Sequence, residues 1–338
     1  MLYVVLFFLM FSLLLYVILA GADFGAGIVE LFSSQKNRHL TKKTVYRVMG
    51  PVWEANHIWI ILMIVILWVG FPNFYNVLVV YLHIPLTLIL LGITLRGVAF
   101  VFRHYDAYQD QSQILYDWMF RISSLITPIF LGMTFGAMVS GQIVITEDYT
   151  NFTFYSLFIQ PWLNGFSVLV GLFFAALCAF LATILLIGEV DENTPNIYLK
   201  KAKIATLVVV ISGFLVLSFG FVQEVYFITN FMQNSYSLGL VALSAVLIFP
   251  LLYSIKKEFQ IASRTFAGIQ VVLVLIAAII AHFPNLIITT TSEISLLETT
   301  ATDEVISVLG ISLIIGGAII LPGLFHLFKS FNMIKILE

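Results

Sequence analysis

The chain has 338 residues, of which 61% are hydrophobic and only 10% are charged, and its formal net charge is −2. Soluble globular proteins carry about 25% charged residues, so this composition excludes an ordinary soluble domain. It offers no basic surface of the kind that nucleic-acid binding requires. A single cysteine excludes an internal disulfide.

Long apolar runs occur at intervals along the whole chain. A membrane-spanning helix needs about 20 predominantly apolar residues, and nine runs meet that requirement. The predicted helices lie near residues 2–31, 52–70, 76–102, 115–140, 162–188, 204–223, 237–255, 265–283 and 305–328. We therefore predict an all-α, polytopic membrane protein that forms one integral-membrane domain over residues 1–338. The segments between the runs are too short to form a soluble domain.

The cationic residues are sorted between alternate loops. Except for Arg96 and Arg121, every Lys and Arg is predicted to lie in an alternate loop or in the C-terminal tail, and the intervening loops carry acids only. The predicted inner cations are Lys36, Arg38, Lys42, Lys43 and Arg47, then Arg103, then Lys200, Lys201 and Lys203, then Lys256, Lys257 and Arg264, and finally Lys329 and Lys335. Cytoplasmic loops retain Lys and Arg. The pattern predicts an N-terminus outside, a C-terminus inside and an uncleaved first helix, because no basic segment precedes it.

An acidic residue interrupts the first apolar run. The i−3, i+3 and i+4 neighbours of Asp23 are the small residues Ala20, Ala26 and Gly27, and Gly21 and Gly25 form a GxxxG pair that permits close helix approach. We expect its carboxylate to face another helix. Ionisable residues inside spans commonly mark ion or proton paths. Two interpretations stay open: a proton-carrying carboxylate, or a structural partner of Arg96.

The second predicted helix opens with Glu54, and His57 follows one turn later. Glu-x-x-His is half of a carboxylate di-iron site, but the chain has no second copy, so we predict no metal site. Glu54 is expected to accept protons near the cytoplasmic entrance, with Asn56 or His57 sustaining a water chain. The alternative is a carboxylate that merely stabilises a helix start through the helix dipole.

The remaining intramembrane charges lie in the third and fourth predicted helices. Arg96 cannot deprotonate in a protein, so its role would be to hold Asp23 or Glu54 charged. Asp117 and Arg121 have i,i+4 spacing and form either part of an inward-facing polar stripe or an interfacial ion pair of little energetic value. No two intramembrane histidines have the depth and spacing of a bis-histidine haem pair. The sequence therefore predicts no haem in this chain.

Three segments carry a family resemblance: residues 21–27 (GADFGAG), 50–59 (GPVWEANHIW) and 95–103 (LRGVAFVFR). Together, in this order and spacing, they resemble subunit II of cytochrome bd-type quinol oxidases. The close match covers about the first 110 residues, and the rest agrees in topology and hydropathy. The family commonly has Asp where this chain has Glu54, a change that keeps the acid but alters its reach.

The resemblance implies a haem-free subunit, inactive by itself, that pairs with a larger haem-bearing subunit I in the bacterial cytoplasmic membrane. Subunit I would hold haem b, with or without haem d, and the complex would oxidise quinol and reduce O2 to water. Protons for water would come from the cytoplasm, which makes the reaction electrogenic. A small single-helix subunit and bound lipid or quinone are left open.

The resemblance also assigns residues. Asp23, Glu54 and Arg96 would line the proton-uptake path, and Trp53 with Asn56 would frame it. To these the reading of the residues themselves adds His57 in the path, and Asp117 with Arg121 in support.

Two other functions remain as alternatives. A proton-coupled secondary transporter is suggested by the buried carboxylates and by a Phe-Pro-Asn echo at residues 71–73 and 283–285. A purely scaffolding subunit would use the buried charges as packing pairs. Substituting Glu54 by Gln distinguishes scaffolding from proton supply, since a scaffold would tolerate the change.

Overall fold

The structure is a computed structural model that describes residues 1–50, 53–105, 111–146, 150–189 and 197–330. By length and composition, eight of the described helices can cross a membrane, or nine if one bent helix pair counts as a single span. The predicted all-α membrane class is therefore confirmed. The sequence reading missed a single short β-hairpin among the described residues.

The first span is a continuous rod with one irregular turn. It consists of α1 (Leu2–Leu15), a π-helical turn at Tyr16–Ala20 and α2 (Gly21–Leu31). Nearly every residue of α2 is buried. The cation-rich segment that follows is itself helical, as α3 (Gln35–Met49).

The second and third spans differ from the prediction. The chain forms α4 (Trp53–Asn56), α5 (Ile58–Gly70), α6 (Pro72–Tyr81) and α7 (His83–Tyr105). The predicted run 76–102 is wrong at its start, because residues 76–81 belong to α6, which is bent by 116° from α5. Pro72 has no N–H to continue α5 and instead occupies the first turn of α6, where proline is favoured. Arg103 was placed in a loop but lies within α7.

A compact group of four helices forms the interior of the bundle: α2, α7, α8 (Ser112–Val139) and α10 (Gly165–Leu185). The close approach predicted for the GxxxG pair is confirmed, since a Cβ atom at Gly25 would overlap the backbone carbonyl of Cys178 on α10. A Cβ atom at Gly27 would likewise overlap the Ser124 side chain on α8. Small residues thus bring the α2 backbone against the backbone of α10 and against a side chain of α8.

The other elements surround this interior. They are α9 (Phe154–Phe158), α11 (Ile197–Val222), α12 (Tyr226–Gln233), α13 (Ser235–Val246), α14 (Ile248–Lys256), α15 (Gln260–His282), β1 (Asn285–Ile288), β2 (Glu293–Ser295) and α16 (Asp303–Ser330). Helix α11 begins seven residues before the predicted run 204–223. Lys200, Lys201 and Lys203 therefore lie on its first turns instead of in a loop, which suits lysine because it favours helices and can extend its amine to the surface.

The loops predicted to be cytoplasmic meet at one end of the bundle. Arg47 of α3 and Arg264 of α15 both donate hydrogen bonds around the C-terminal end of α10, where each reaches Glu189. Lys201 of α11 donates to the Ser33 hydroxyl, 2.5 Å away, just beyond α2. Three separate cationic segments thus share one end.

The opposite end carries the β-hairpin. β1 and β2 pair antiparallel, with Ile287 opposite Ile294, and Thr289 bridges to Ile143 after α8. The two Phe-Pro-Asn copies differ in structure: Pro72 begins a helix, whereas Pro284 leads into β1. The sequence echo is therefore no structural repeat.

Candidate functional site

The most buried charges form an ion pair between α2 and α7. The Arg96 guanidinium donates to both Asp23 carboxylate oxygens, with Nη1–Oδ2 at 2.6 Å and Nη2–Oδ1 at 2.8 Å. Nη2 also donates to the Asp23 backbone carbonyl, and Nε donates to the Ser124 hydroxyl, each at 2.9 Å. The Asp23 side chain has 0% exposure and that of Arg96 has 1%. Such a bidentate, charge-assisted pair is strong and fixes both side chains.

A second pair repeats this arrangement two turns along the same helices. Arg103 Nη2 donates to both carboxylate oxygens of Glu30 at 2.9 Å, and both side chains are almost fully buried. Both pairs join residues 73 apart in sequence, because α2 and α7 run parallel and in register. Seven residues correspond to about 10 Å along a helix.

The phenyl ring of Phe120, on α8, separates the two pairs. The guanidinium carbons of Arg96 and Arg103 lie 4.8 and 4.4 Å from its centroid. The ring is fully buried, so both contacts are cation–π interactions in a desolvated environment. The two ion pairs are consequently distinct stations divided by an apolar ring.

A third carboxylate opens the site toward the cationic end of the bundle. Asp117 accepts a hydrogen bond from Lys42 Nζ at 2.7 Å and lies 3.1 Å from Arg103 Nε. Its side chain is 24% exposed and that of Lys42 is 25% exposed. We call Asp117, Glu30 and Asp23, with their cationic partners Lys42, Arg103 and Arg96, the charged row. It leads from a solvent-accessible carboxylate to a fully buried one.

The predicted pairing of Asp117 with Arg121 is not a carboxylate–guanidinium contact. Arg121 Nε donates to the Asp117 backbone carbonyl at 2.8 Å and lies 3.9 Å from Glu30 Oε1. The arginine folds back along its own helix, while the Asp117 carboxylate turns to Lys42. Arg121 is also buried, so of the two earlier interpretations the geometry matches the inward-facing one.

The residues predicted around the start of the second span lie beside the Asp23–Arg96 ion pair. His57 Nε2 is 3.8 Å from Asp23 Oδ2, too long for a hydrogen bond but within ion-contact range when the ring is protonated. The Trp53 ring packs on Phe100 of α7, with centroids 5.0 Å apart. Asn56 is buried and its Oδ1 has no hydrogen-bond partner among the described residues. The side chain of Glu54 lies outside the described residues, and its role stays a prediction.

Glu30 and its partner Arg103 belong to this site but were not among the predicted site residues. Glu30 lies near the end of the predicted first run, residues 2–31. Its seven-residue spacing from Asp23 matches the spacing of Arg103 from Arg96. That shared spacing on two helices was the available signal.

In the described part of the chain, no group of three or more His, Cys, Asp or Glu side chains is placed to hold a metal ion. The buried histidine rings contact aromatic neighbours: His57 contacts Tyr16 and Phe24, and His282 stacks on Phe227 at 4.2 Å. They do not form a bis-histidine pair.

Comparison with known proteins identifies the family of the chain. The model of the family "Cytochrome bd terminal oxidase subunit II" matches residues 1–331. The chain is 28% identical over 160 residues to cytochrome bd ubiquinol oxidase subunit 2 of Bacillus subtilis, which is 47% of this chain and 45% of that protein. It is 24% identical over 151 residues to cytochrome bd-I ubiquinol oxidase subunit 2 of Escherichia coli K12, which is 45% of this chain and 39% of that protein. The chain thus aligns with less than half the length of these relatives.

The fold has a solved counterpart. A chain of the bd oxidase from Geobacillus thermodenitrificans superposes with a TM-score of 0.75 at 16% identity, covering 98% of this chain and 99% of that one. At this identity the likeness establishes the fold. The family model, which extends over nearly the whole sequence, establishes that the chain belongs to the cytochrome bd terminal oxidase subunit II family.

Proposed function

We propose that this chain is the haem-free subunit II of a quinol:O2 oxidase and that its charged row supplies part of the proton-uptake path. The single observation that carries the proposal is the row itself, in which three carboxylates descend from a 24% exposed Asp117 to a fully buried Asp23. Membership of the cytochrome bd family supports the reaction class. The supporting sequence prediction is that Glu54 and His57 continue the path.

The proposed complex consists of this chain, a larger subunit I that holds haem b with or without haem d, and a further small subunit where one is present. When bound in subunit I, haem would carry electrons from quinol to O2. Four electrons and four protons convert one O2 to two waters. This chain contributes protons and support, and no redox step occurs on it.

The proposed orientation places the charged row in the cytoplasmic half of the membrane, with the N-terminus outside and the C-terminus inside. It is supported by the gathering of three cationic segments at the end of the bundle that Asp117 approaches, because cytoplasmic segments retain Lys and Arg. Proton uptake from that side, with release outside by quinol, separates charge without a pump.

Each ion pair in the row serves as a neutral resting station. Arg96 and Arg103 do not release protons, so the carriers are the carboxylates and the water or hydroxyl groups between them. A proton that arrives at Asp23 leaves the pair with net positive charge. In a buried site of low dielectric this excess charge favours onward transfer. Glu30 and Asp23 are about 10 Å apart along the helix, so transfer between them needs intervening hydrogen-bonding groups, and buried water is the usual one at such polar sites.

A visible difference spectrum tests the oxidase assignment. The gently solubilised chain, purified with whatever it binds, is measured dithionite-reduced minus air-oxidised. We expect a b-type haem band, with or without a d-type band at longer wavelength, travelling with a larger subunit. A colourless preparation without a partner would refute the assignment and favour a transporter.

A further inference from the structure

Tyr16 carries a buried hydroxyl near Asp23, the fully buried end of the charged row. The proposed path does not use this hydroxyl. Tyr16 is 3% exposed and lies in the π-helical turn that directly precedes α2, the helix of Asp23. π-Helical turns inside α-helices occur frequently at functional sites, because the extra residue changes the direction of the side chains around it.

His57 lies between the Asp23 carboxylate and the Tyr16 ring. Its Nε2 faces Asp23 Oδ2 at 3.8 Å, and its ring centroid is 6.3 Å from that of Tyr16. His57 Nδ1 and the Tyr16 hydroxyl are both buried, and neither has a hydrogen-bond partner among the described residues. Imidazole can accept a proton on one nitrogen and release one from the other. The ring therefore has one nitrogen toward Asp23 and a second available for onward transfer.

The Tyr16 hydroxyl makes no hydrogen bond among the described residues that would stabilise the fold. A buried hydroxyl without a partner destabilises a protein, and phenylalanine would fill nearly the same space. Tyr16 packs in one buried apolar cluster with Ala20 and Phe24. A polar atom at this place is accounted for if it conducts protons.

We propose that the Tyr16 hydroxyl is the relay group that follows Asp23 and His57, carrying protons deeper into the membrane. The proposal rests on the function proposed above. In the relay, Asp23 delivers a proton to His57 Nε2, and His57 releases one from Nδ1. The Tyr16 hydroxyl and His57 Nδ1 are not hydrogen-bonded to each other, so a water molecule carries that proton to the Tyr16 oxygen. Tyr16 then gives up its own hydroxyl proton toward subunit I, where O2 is reduced to water. Every group returns to its starting charge through reorientation, and no electrons move.

The test uses the purified complex with Tyr16→Phe, which removes the hydroxyl and keeps the ring. Tyr81→Phe is the matched control, since Tyr81 is also buried but lies on α6 against Phe158. We expect Tyr16→Phe to lower quinol-driven O2 consumption by about tenfold, less than the roughly 100- to 10,000-fold contribution of a positioned general acid or base, because water can replace a relay hydroxyl in part. The solvent deuterium isotope effect should rise, because proton transfer becomes rate-limiting, while the haem spectrum and the control stay unchanged.

The outcomes separate this inference from the function beneath it. If Tyr16→Phe keeps the full rate and isotope effect while Asp23→Asn loses activity, the relay is wrong and the path stands. If Asp23→Asn keeps the full rate, the proposed path fails and the relay fails with it. A slower Tyr16→Phe complex with an unchanged isotope effect would indicate a packing role, which also overturns the relay.

Discussion

Removal of the Glu30 carboxylate should destabilise the complex far more than removal of an equally short surface contact. Glu30→Gln leaves the Arg103 guanidinium buried without its main counter-charge. Breaking one partner out of a buried pair costs about 3–5 kcal/mol. Asp117, at 3.1 Å from Arg103 Nε, offsets part of the unpaired charge. We therefore expect the free energy of unfolding to fall by about 3 kcal/mol.

Glu189→Gln is the matched control. Glu189 accepts from Arg264 at 2.8 Å, a distance like that of the buried pair, but both side chains are about a quarter exposed. Exposed pairs contribute about 0–1 kcal/mol. The purified complex is heated while intrinsic fluorescence is followed. We expect the midpoint of Glu30→Gln to fall by roughly 6 °C, on a scale of about 2–4 °C per kcal/mol for chains of moderate size, and that of the control to fall by about 1 °C.

A double-mutant cycle completes this prediction. Removing both partners with Glu30→Gln and Arg103→Gln should cost less than the sum of the single changes, because neither charge is left buried without its partner. Equal midpoint shifts for Glu30→Gln and Glu189→Gln, or additive effects in the cycle, would contradict the claim that burial makes this pair interdependent.

Three further outcomes follow from the same structure. Asp117→Asn should slow proton-limited O2 consumption by at least about threefold without changing haem content, since the accessible carboxylate of the row is lost; an unchanged rate would remove Asp117 from the path. Gly25→Ala should prevent assembly because a Cβ atom there meets the Cys178 backbone, whereas Gly268→Ala, which meets nothing within 4 Å, should assemble normally. An impermeant maleimide should label Ser292→Cys in intact cells and Lys43→Cys only after permeabilisation, because the β-hairpin is proposed to face outside and α3 inside. The native Cys178 is buried and should not react. The reverse labelling pattern would contradict the proposed orientation.

The sequence predicted the Asp23–Arg96 pair better than the part of the charged row that lies nearer to solvent. The Ala and Gly neighbours of Asp23 require a close helix contact, and α10 provides it at Gly25. Whether Arg96 would pair with Asp23 or with Glu54 depended on how α7 packs against α2 and α4, which the sequence does not give. Glu30 was not predicted, because a carboxylate at the end of an apolar run resembles an ordinary helix boundary. The sequence alone also does not reveal that an arginine of another helix lies opposite it.

Span boundaries failed where local and tertiary signals compete. The second predicted run ends at residue 70, as α5 does, but the third was expected to begin at 76, whereas Pro72 begins the separate helix α6. With α4 the stretch from 53 to 70 extends about 27 Å, close to the hydrocarbon thickness of about 30 Å. The lysines before residue 204 were assigned to a loop because charge was treated as a span boundary, although a helix can begin with lysines whose amines reach solvent.

The most direct test of the charged row is proton-coupled O2 consumption by the complex carrying Asp23→Asn, measured beside Glu189→Gln. Asparagine keeps the shape of the side chain and removes its capacity to carry a proton. With unchanged haem spectra, we predict at least about a tenfold loss of quinol-driven O2 consumption and of the accompanying proton uptake for Asp23→Asn, and no loss for the control. An Asp23→Asn complex that consumes O2 and takes up protons at the full rate would contradict a proton path through this chain.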